Sequence, residues 1–68
     1  MHIGQRIKQV MAEKKVSVIM AANTIKCERT NVYNVFERQD INTNLLRKFC
    51  VLLNHDFFKE FSEELAIK

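Results

Sequence analysis

The feature that most limits the fold of this chain is its shortage of turn-forming residues, since it contains one glycine and no proline. The tight primed turns of β-hairpins depend largely on glycine, and proline shapes many other turns. A chain with so few of them has almost no material for connecting antiparallel strands. We therefore predict an all-α fold.

The length of 68 residues is enough for one small domain, residues 1–68, and too short for two. A domain of this size hides only about 60% of the surface that its unfolded chain exposes, so its margin of stability is thin. The 28% of charged residues and 47% of apolar residues are typical of a folded chain rather than a disordered tail. We expect dimerisation to add stability.

Neither a membrane segment nor a signal peptide is expected from the sequence. No apolar run approaches the roughly 20 residues that cross a bilayer. The N-terminus lacks a charged segment leading into an apolar core. We therefore expect a cytoplasmic protein with no membrane partner.

The two cysteines, Cys27 and Cys50, stand far apart in the sequence, and neither belongs to a CxxC pair. A secreted domain this small usually carries more cysteines, so we expect both to be reduced and buried on helices. His2 and His55 lie at no ligand-like spacing from them. The sequence therefore predicts no metal site.

Apolar residues recur at helical spacing in five short segments, which predicts five helices. The second segment is rich in β-branched residues, but a strand there would have no partner elsewhere in the chain. The five apolar sets are Ile3, Ile7, Val10 and Met11; residues 18–25; Val32, Val35 and Phe36; Leu45, Leu46, Phe49, Leu52 and Leu53; and Phe57, Phe58, Phe61 and Leu65.

Residues suited to helix ends stand between these segments. Ser17 and Asp56 are natural N-caps for the second and fifth helices, and Asn42 or Thr43 can cap the fourth. Asn54 is suited to a left-handed residue at the end of the fourth helix. The connections are therefore expected to be short.

The second and third helices are separated by only Lys26-Cys27-Glu28, which suggests a helix-turn-helix over residues 18–37. Small Ala22 falls where the two helices of such a motif approach most closely. The positions that must bury apolar groups hold Ile25, Cys27, Val32 and Val35. All five positions match what the motif requires.

Together with the opening Ile3-Gly4-Gln5-Arg6-Ile7 and the segment Leu46–Asp56, this motif resembles the Cro/phage-repressor (XRE-like) helix-turn-helix domains. The resemblance covers roughly residues 3–61. It implies a compact five-helix, lambda-repressor-like DNA-binding domain of a bacterium or phage. Members of this family usually act as homodimers on short palindromic operators, so it also implies a transcriptional repressor.

Some residues depart from the family pattern. Lys26 holds the turn position where the family prefers glycine, so we expect a positive φ there at a cost of about 1 kcal/mol. Val18 stands where the family often has a glutamine that binds phosphate. Ala21 replaces a usual leucine, and Ile19 and Met20 are expected to supply the missing volume.

The resemblance implies that the third helix, from Arg29 to Glu37, is the recognition helix, whose N-terminal residues enter the major groove. Arg29 is expected to pair with guanine and Asn34 with adenine, while Thr30 and Tyr33 complete the base contacts. Tyr33 is equally suited to covering neighbouring apolar groups. The predicted phosphate contacts are Asn31, Lys15, Lys26 and Arg38.

The distribution of charge fits a polyanion partner. Residues 1–38 carry seven basic and three acidic side chains, whereas residues 39–68 carry four basic and five acidic ones. A basic half is what a DNA-binding face requires, although this excess is modest. Phe57, Phe58 and Phe61 exceed what one face of a short helix needs, so we expect at least one of them to contact a second copy.

An enzyme is not expected, because the chain has no nucleophile–base set, metal-ligand spacing or glycine-rich phosphate loop. No cofactor or small-molecule substrate is indicated. Two readings remain: a dimeric DNA-binding regulator, and a helical protein-interaction module such as an antitoxin or adaptor. The apolar segment Val18-Ile19-Met20 favours the module, and the polar third helix favours DNA binding more strongly.

Overall fold

Five α-helices make up most of the chain in a computed structural model that describes the backbone of residues 2–66 and the side chains of residues 2–64. The helices are α1 (Ile3–Glu13), α2 (Val18–Ile25), α3 (Arg29–Phe36), α4 (Thr43–Leu53) and α5 (Phe57–Ala66). Residues 2–66 contain no strand, which confirms the all-α prediction. None of the described helices combines the length and the apolar character that crossing a bilayer requires.

The helix ends follow the cap residues of the sequence. Side-chain oxygens of Ser17, Asn42 and Asp56 accept hydrogen bonds from the backbone N–H three residues later, at 3.0, 2.8 and 3.0 Å. Lys26 and Asn54 adopt the left-handed conformation, with φ of 66° and 49°. These local predictions are confirmed, with Asn42 as the cap of α4.

The core receives side chains from all five helices, and no polar or charged residue among those described is buried. α3 packs on α1 and α2, and α4 packs on the same two helices. The side chain of Leu65, also predicted for the apolar face of the last helix, lies outside those that the structure describes. The buried residues are Ile3, Ile7, Val10, Met11, Ala21, Ala22, Ile25, Val32, Val35, Phe36, Leu46, Phe49, Leu53 and Phe57.

The expectation that Ile19 and Met20 fill volume beside Ala21 is wrong. Ala21 is fully buried, whereas Ile19 and Met20 are 55% and 51% exposed. Each residue of a helix is rotated by about 100° from the one before it, so side chains one and two positions before Ala21 leave the core face. The first turn of α2 therefore presents two apolar side chains to solvent.

The two thiols are less buried than expected. Both are free, and each is only partly buried against the edge of the core. Cys27 belongs to the connection between α2 and α3, and Cys50 lies on α4 beside the core residue Phe49. No cluster of three or more potential metal ligands occurs among the described residues.

The first turn of α1 lies directly against the end of α3. The backbone N–H of Gly4 donates to the carbonyl oxygen of Arg38 at 3.0 Å, and the side-chain amide of Gln5 donates to that of Phe36 at 2.9 Å. A Cβ on Gly4 would lie 2.6 and 2.7 Å from the carbonyl oxygens of Phe36 and Arg38, and closer still to that of Val35. Only glycine permits this approach.

An ion pair connects α5 to α1. Arg6 Nε and Nη2 donate to the two carboxylate oxygens of Glu60 at 2.9 and 3.1 Å, and His55 Nε2 contacts one of the same oxygens. The hydrogen bond from Arg6, assisted by that from His55, holds the pKa of Glu60 below its ordinary value. The pair lies beside Phe57, whose side chain is fully buried and whose ring packs on that of His55.

Gly4→Ala should destabilise the fold by about 1–3 kcal/mol, the usual cost of forcing atoms into a filled site. Helix propensity alone predicts the opposite sign, because alanine is favoured over glycine by about 1 kcal/mol within a helix. Urea unfolding measures the difference. Ala12→Gly at an exposed position of α1 is the matched control and should cost about 1 kcal/mol. A Gly4→Ala variant as stable as the parent would contradict the tight contact.

Glu60→Gln should lower stability at neutral pH by up to about 1 kcal/mol, as for a partly exposed ion pair. Because folding lowers the pKa of Glu60, its stabilisation is present above the ordinary pKa of 4.5 and is lost as the pH falls through the folded value. The difference between parent and variant should therefore shrink in acid. Unfolding curves across this range test it, with exposed Glu63→Gln as control. A pH-independent difference would contradict the assignment.

Candidate nucleic-acid interface

The helix α3 has one buried and one exposed face. Val32, Val35 and Phe36 are 1%, 5% and 6% exposed and form its contact with α1 and α2. They stand at positions i, i+3 and i+4, which lie on one side of a helix. The remaining five side chains of this eight-residue helix are all exposed.

The four predicted base contacts all lie on the exposed face of α3. Arg29 and Tyr33 are four residues apart, as are Thr30 and Asn34, so each pair is adjacent along the helix surface. Together they form an array of two side chains by two. Its members are a guanidinium, a hydroxyl, a phenol and a carboxamide, which can all donate hydrogen bonds.

The N-terminus of α3 lacks the side-chain cap that the other four helices have. Glu28 occupies the N-cap position with extended backbone, but its side chain accepts no hydrogen bond from the helix. α1, α2, α4 and α5 each have a side chain that accepts such a bond. The backbone N–H of Asn31 donates to the carbonyl oxygen of Glu28 at 3.0 Å, and the N–H groups before it have no side-chain acceptor. The helix dipole favours an anionic group at this end, where the carboxylate of Glu28 already adds negative charge.

The predicted phosphate contacts are distributed over three regions. Asn31 and Arg38 line a hollow of about 240 Å³ beside α3, together with Asn34 and Cys27. Lys26 lines a different groove, between α2 and α4. All four candidates, including Lys15 in the α1–α2 connection, are exposed. Only Asn31 and Arg38 are thus brought beside a predicted base contact.

Tyr33 packs against a neighbouring aromatic ring and is still exposed. Its ring meets that of Phe36 edge to face, with centroids 6.1 Å apart and an angle of 89° between the planes. It nevertheless remains 57% exposed. The ring therefore covers a neighbouring apolar group, as one of the two predictions for it stated, while more than half of the residue is exposed.

The three phenylalanines proposed for a dimer contact have different positions. Phe57 is fully buried in the core, so its inclusion among the dimer contacts is corrected. Phe58 is 40% exposed, and Phe61 is partly buried against the core. Phe57 is the first residue of α5 and packs into the core beside His55. Phe58 is therefore the phenylalanine with the most surface exposed for contact with a second copy.

Two basic residues of α4 were missed as candidates. Arg47 and Lys48 are both exposed and line the same groove as Lys26. In the sequence, the two residues are neighbours on the polar side of the amphipathic helix α4. They form part of a groove only because α2 packs beside that side of α4, and the sequence of α4 alone does not predict this packing.

Comparison with known proteins gives this chain no relative: no family model, curated protein or solved structure matches it.

Proposed function

We propose that this chain is a lambda-repressor-like helix-turn-helix domain that binds double-stranded DNA sequence-specifically and regulates transcription as a repressor. The observation that carries the proposal is the division of α3 into a buried apolar face and an exposed face that carries Arg29, Thr30, Tyr33 and Asn34. An α-helix fits the major groove, where the base edges present distinct patterns of hydrogen-bond donors and acceptors.

The proposed reading of bases depends on two bidentate pairs. Arg29, in the first turn of α3, donates two hydrogen bonds to O6 and N7 of guanine. Asn34, one turn later, donates to N7 and accepts from N6 of adenine. Thr30 and Tyr33 each contact the edge of a neighbouring base. Each good bidentate pair contributes roughly 1–3 kcal/mol of discrimination against a wrong base.

Phosphate contacts supply affinity and set the position of α3. Asn31 and Arg38 lie beside Asn34, and the uncapped N-terminus of α3 offers backbone N–H groups to an anion. Lys15 and Lys26 add positive charge at the two ends of α2. Binding through such contacts weakens as salt rises, because condensed counterions are released on association.

A second candidate function, a protein-interaction module, is favoured by one observation. Ile19 and Met20 are more than half exposed on the first turn of α2. Methionine is enriched in protein interfaces, and phosphate offers no partner to such side chains. The polar surface of α3 supports the DNA-binding proposal more directly, and DNA binding itself separates the two.

Arg29→Ala and Asn34→Ala should each weaken binding to a preferred duplex by about 1–3 kcal/mol, or roughly 5- to 150-fold in Kd. Binding is measured by fluorescence anisotropy over a salt series, using a duplex selected by the parent protein and a mixed-sequence duplex. Both variants should reduce the preference between the two duplexes. Thermal unfolding should be nearly unchanged because both side chains are exposed.

Arg38→Ala is the matched control for a phosphate contact. It should weaken binding to both duplexes alike and reduce the salt slope by about one ion. Lys59→Ala, an exposed cation on α5, should change neither. Loss of folding in Arg29→Ala and Asn34→Ala would make these residues structural. No binding of the parent to any duplex at low salt would overturn the proposal in favour of the protein-interaction module.

We further propose that the domain acts as a homodimer through the surface that includes Phe58 and the exposed part of Phe61. Phe58→Ala should shift the monomer–dimer equilibrium toward monomer in sedimentation experiments without unfolding the chain. Val51→Ala, an exposed apolar position on α4, is the control and should leave the equilibrium unchanged. Monomeric mass for the parent at every concentration would exclude the dimer.

A further inference from the structure

A groove of about 610 Å³ lies between the end of α2 and the exposed side of α4. Its apolar lining comes from Ile25, Val51 and Leu52. Val51 is 83% exposed and is the most exposed of the large apolar residues described. The volume is within the range of about 300–1,000 Å³ that is usual for ligand sites.

The rim of this groove is positively charged. Lys26, Arg47 and Lys48 all line it, and no acidic residue is among its described lining residues. None of these three cations forms an ion pair within the described part of the chain. By contrast, Arg6 on α1 is paired with Glu60. The groove thus combines uncompensated positive charge with an exposed apolar side chain.

We propose that this groove binds an acidic protein segment that carries an apolar anchor residue. The anchor covers Val51 and Leu52, and carboxylates on either side of it pair with Arg47, Lys48 and Lys26. Burial of the apolar anchor supplies affinity, and the flanking charges fix the register of the segment. The site goes beyond the proposed DNA contact, because none of its lining residues belongs to α3 and only Lys26 is shared with the proposed phosphate contacts.

The chemistry of the groove favours a protein segment over a nucleic-acid backbone. Phosphates would satisfy the three cations but would leave Val51 exposed to water. A segment with both carboxylates and an aliphatic side chain satisfies both parts of the lining. Amphipathic segments recognise their partners in this way, with apolar anchors in a groove and polar groups at its edge.

The test is an NMR titration of the 15N-labelled full chain with a peptide of three Glu-Glu-Leu-Leu repeats. Saturable amide shifts are expected at residues 47–52 and at the end of α2, with a Kd that weakens as salt rises. Two control peptides replace glutamate by lysine or leucine by serine. Each control peptide should bind at least roughly tenfold more weakly than the Glu-Glu-Leu-Leu peptide. Equal binding of the serine peptide would overturn the role of the apolar anchor.

Variants of the groove make the test specific. The double variant Arg47→Glu/Lys48→Glu and the single variant Val51→Ser should each weaken peptide binding at least about tenfold. Lys59→Glu is the charge-reversal control outside the groove. All the substituted residues are exposed, so thermal unfolding should stay close to that of the parent. Unchanged peptide affinity in the groove variants would overturn the proposal.

Duplex DNA provides the remaining comparison. If the groove is a protein-binding site, DNA should shift amides of α3, and the Arg47→Glu/Lys48→Glu variant should retain the sequence preference of the parent. If DNA shifts the amides of residues 47–52 and displaces the peptide completely, the groove is instead part of the DNA surface and the proposal fails. A slight weakening of peptide binding by DNA is expected, because Lys26 belongs to both proposed surfaces. A chain that binds the peptide but no DNA would refute the proposed function and leave this inference intact.

Discussion

The contact on which the other features depend is that between the first turn of α1 and the last carbonyl groups of α3. The final carbonyls of a helix have no partner within it, and here Gln5 donates to that of Phe36, the last residue of α3. Gly4 donates to the carbonyl of Arg38, two residues beyond the helix. Because Gly4 has no side chain, the two backbones can come close enough to form these hydrogen bonds. One contact therefore completes the end of α3 and fixes its position against α1.

α3 could not maintain its exposed face alone, because isolated helices of eight residues are unstable in water. Burial of Val32, Val35 and Phe36 holds its middle, the left-handed Lys26 directs the chain into it, and α1 holds its end. Its uncapped N-terminus forgoes roughly 1 kcal/mol, the typical worth of a side-chain cap. This loss of stability occurs at the N-terminus of α3, where DNA phosphate is proposed to bind.

The sequence was most informative where structure depends on neighbours along the chain. Helical spacing and cap residues predicted the five helices, the cap at Ser17 and the left-handed Lys26 and Asn54. It was less informative where the outcome depends on how helices meet. Periodicity marked the phenylalanines as one apolar set but could not tell that Phe57 enters the core while Phe58 faces outward, nor that Arg6 meets Glu60. For the proposed site, it predicted exposure of α3 but not the groove beside α4.

Lys26 connects the two proposed binding surfaces. Glycine would adopt its left-handed conformation without the cost of about 1 kcal/mol that a side chain there incurs. The lysine instead places an exposed cation between the start of α3 and the groove of α2 and α4. Because one such side chain can reach only one acidic partner at a time, DNA phosphate and a bound acidic segment would compete for it. We therefore expect DNA and the acidic segment each to weaken the binding of the other slightly. This mutual effect cannot exceed the contribution of Lys26 to the binding free energy of either partner.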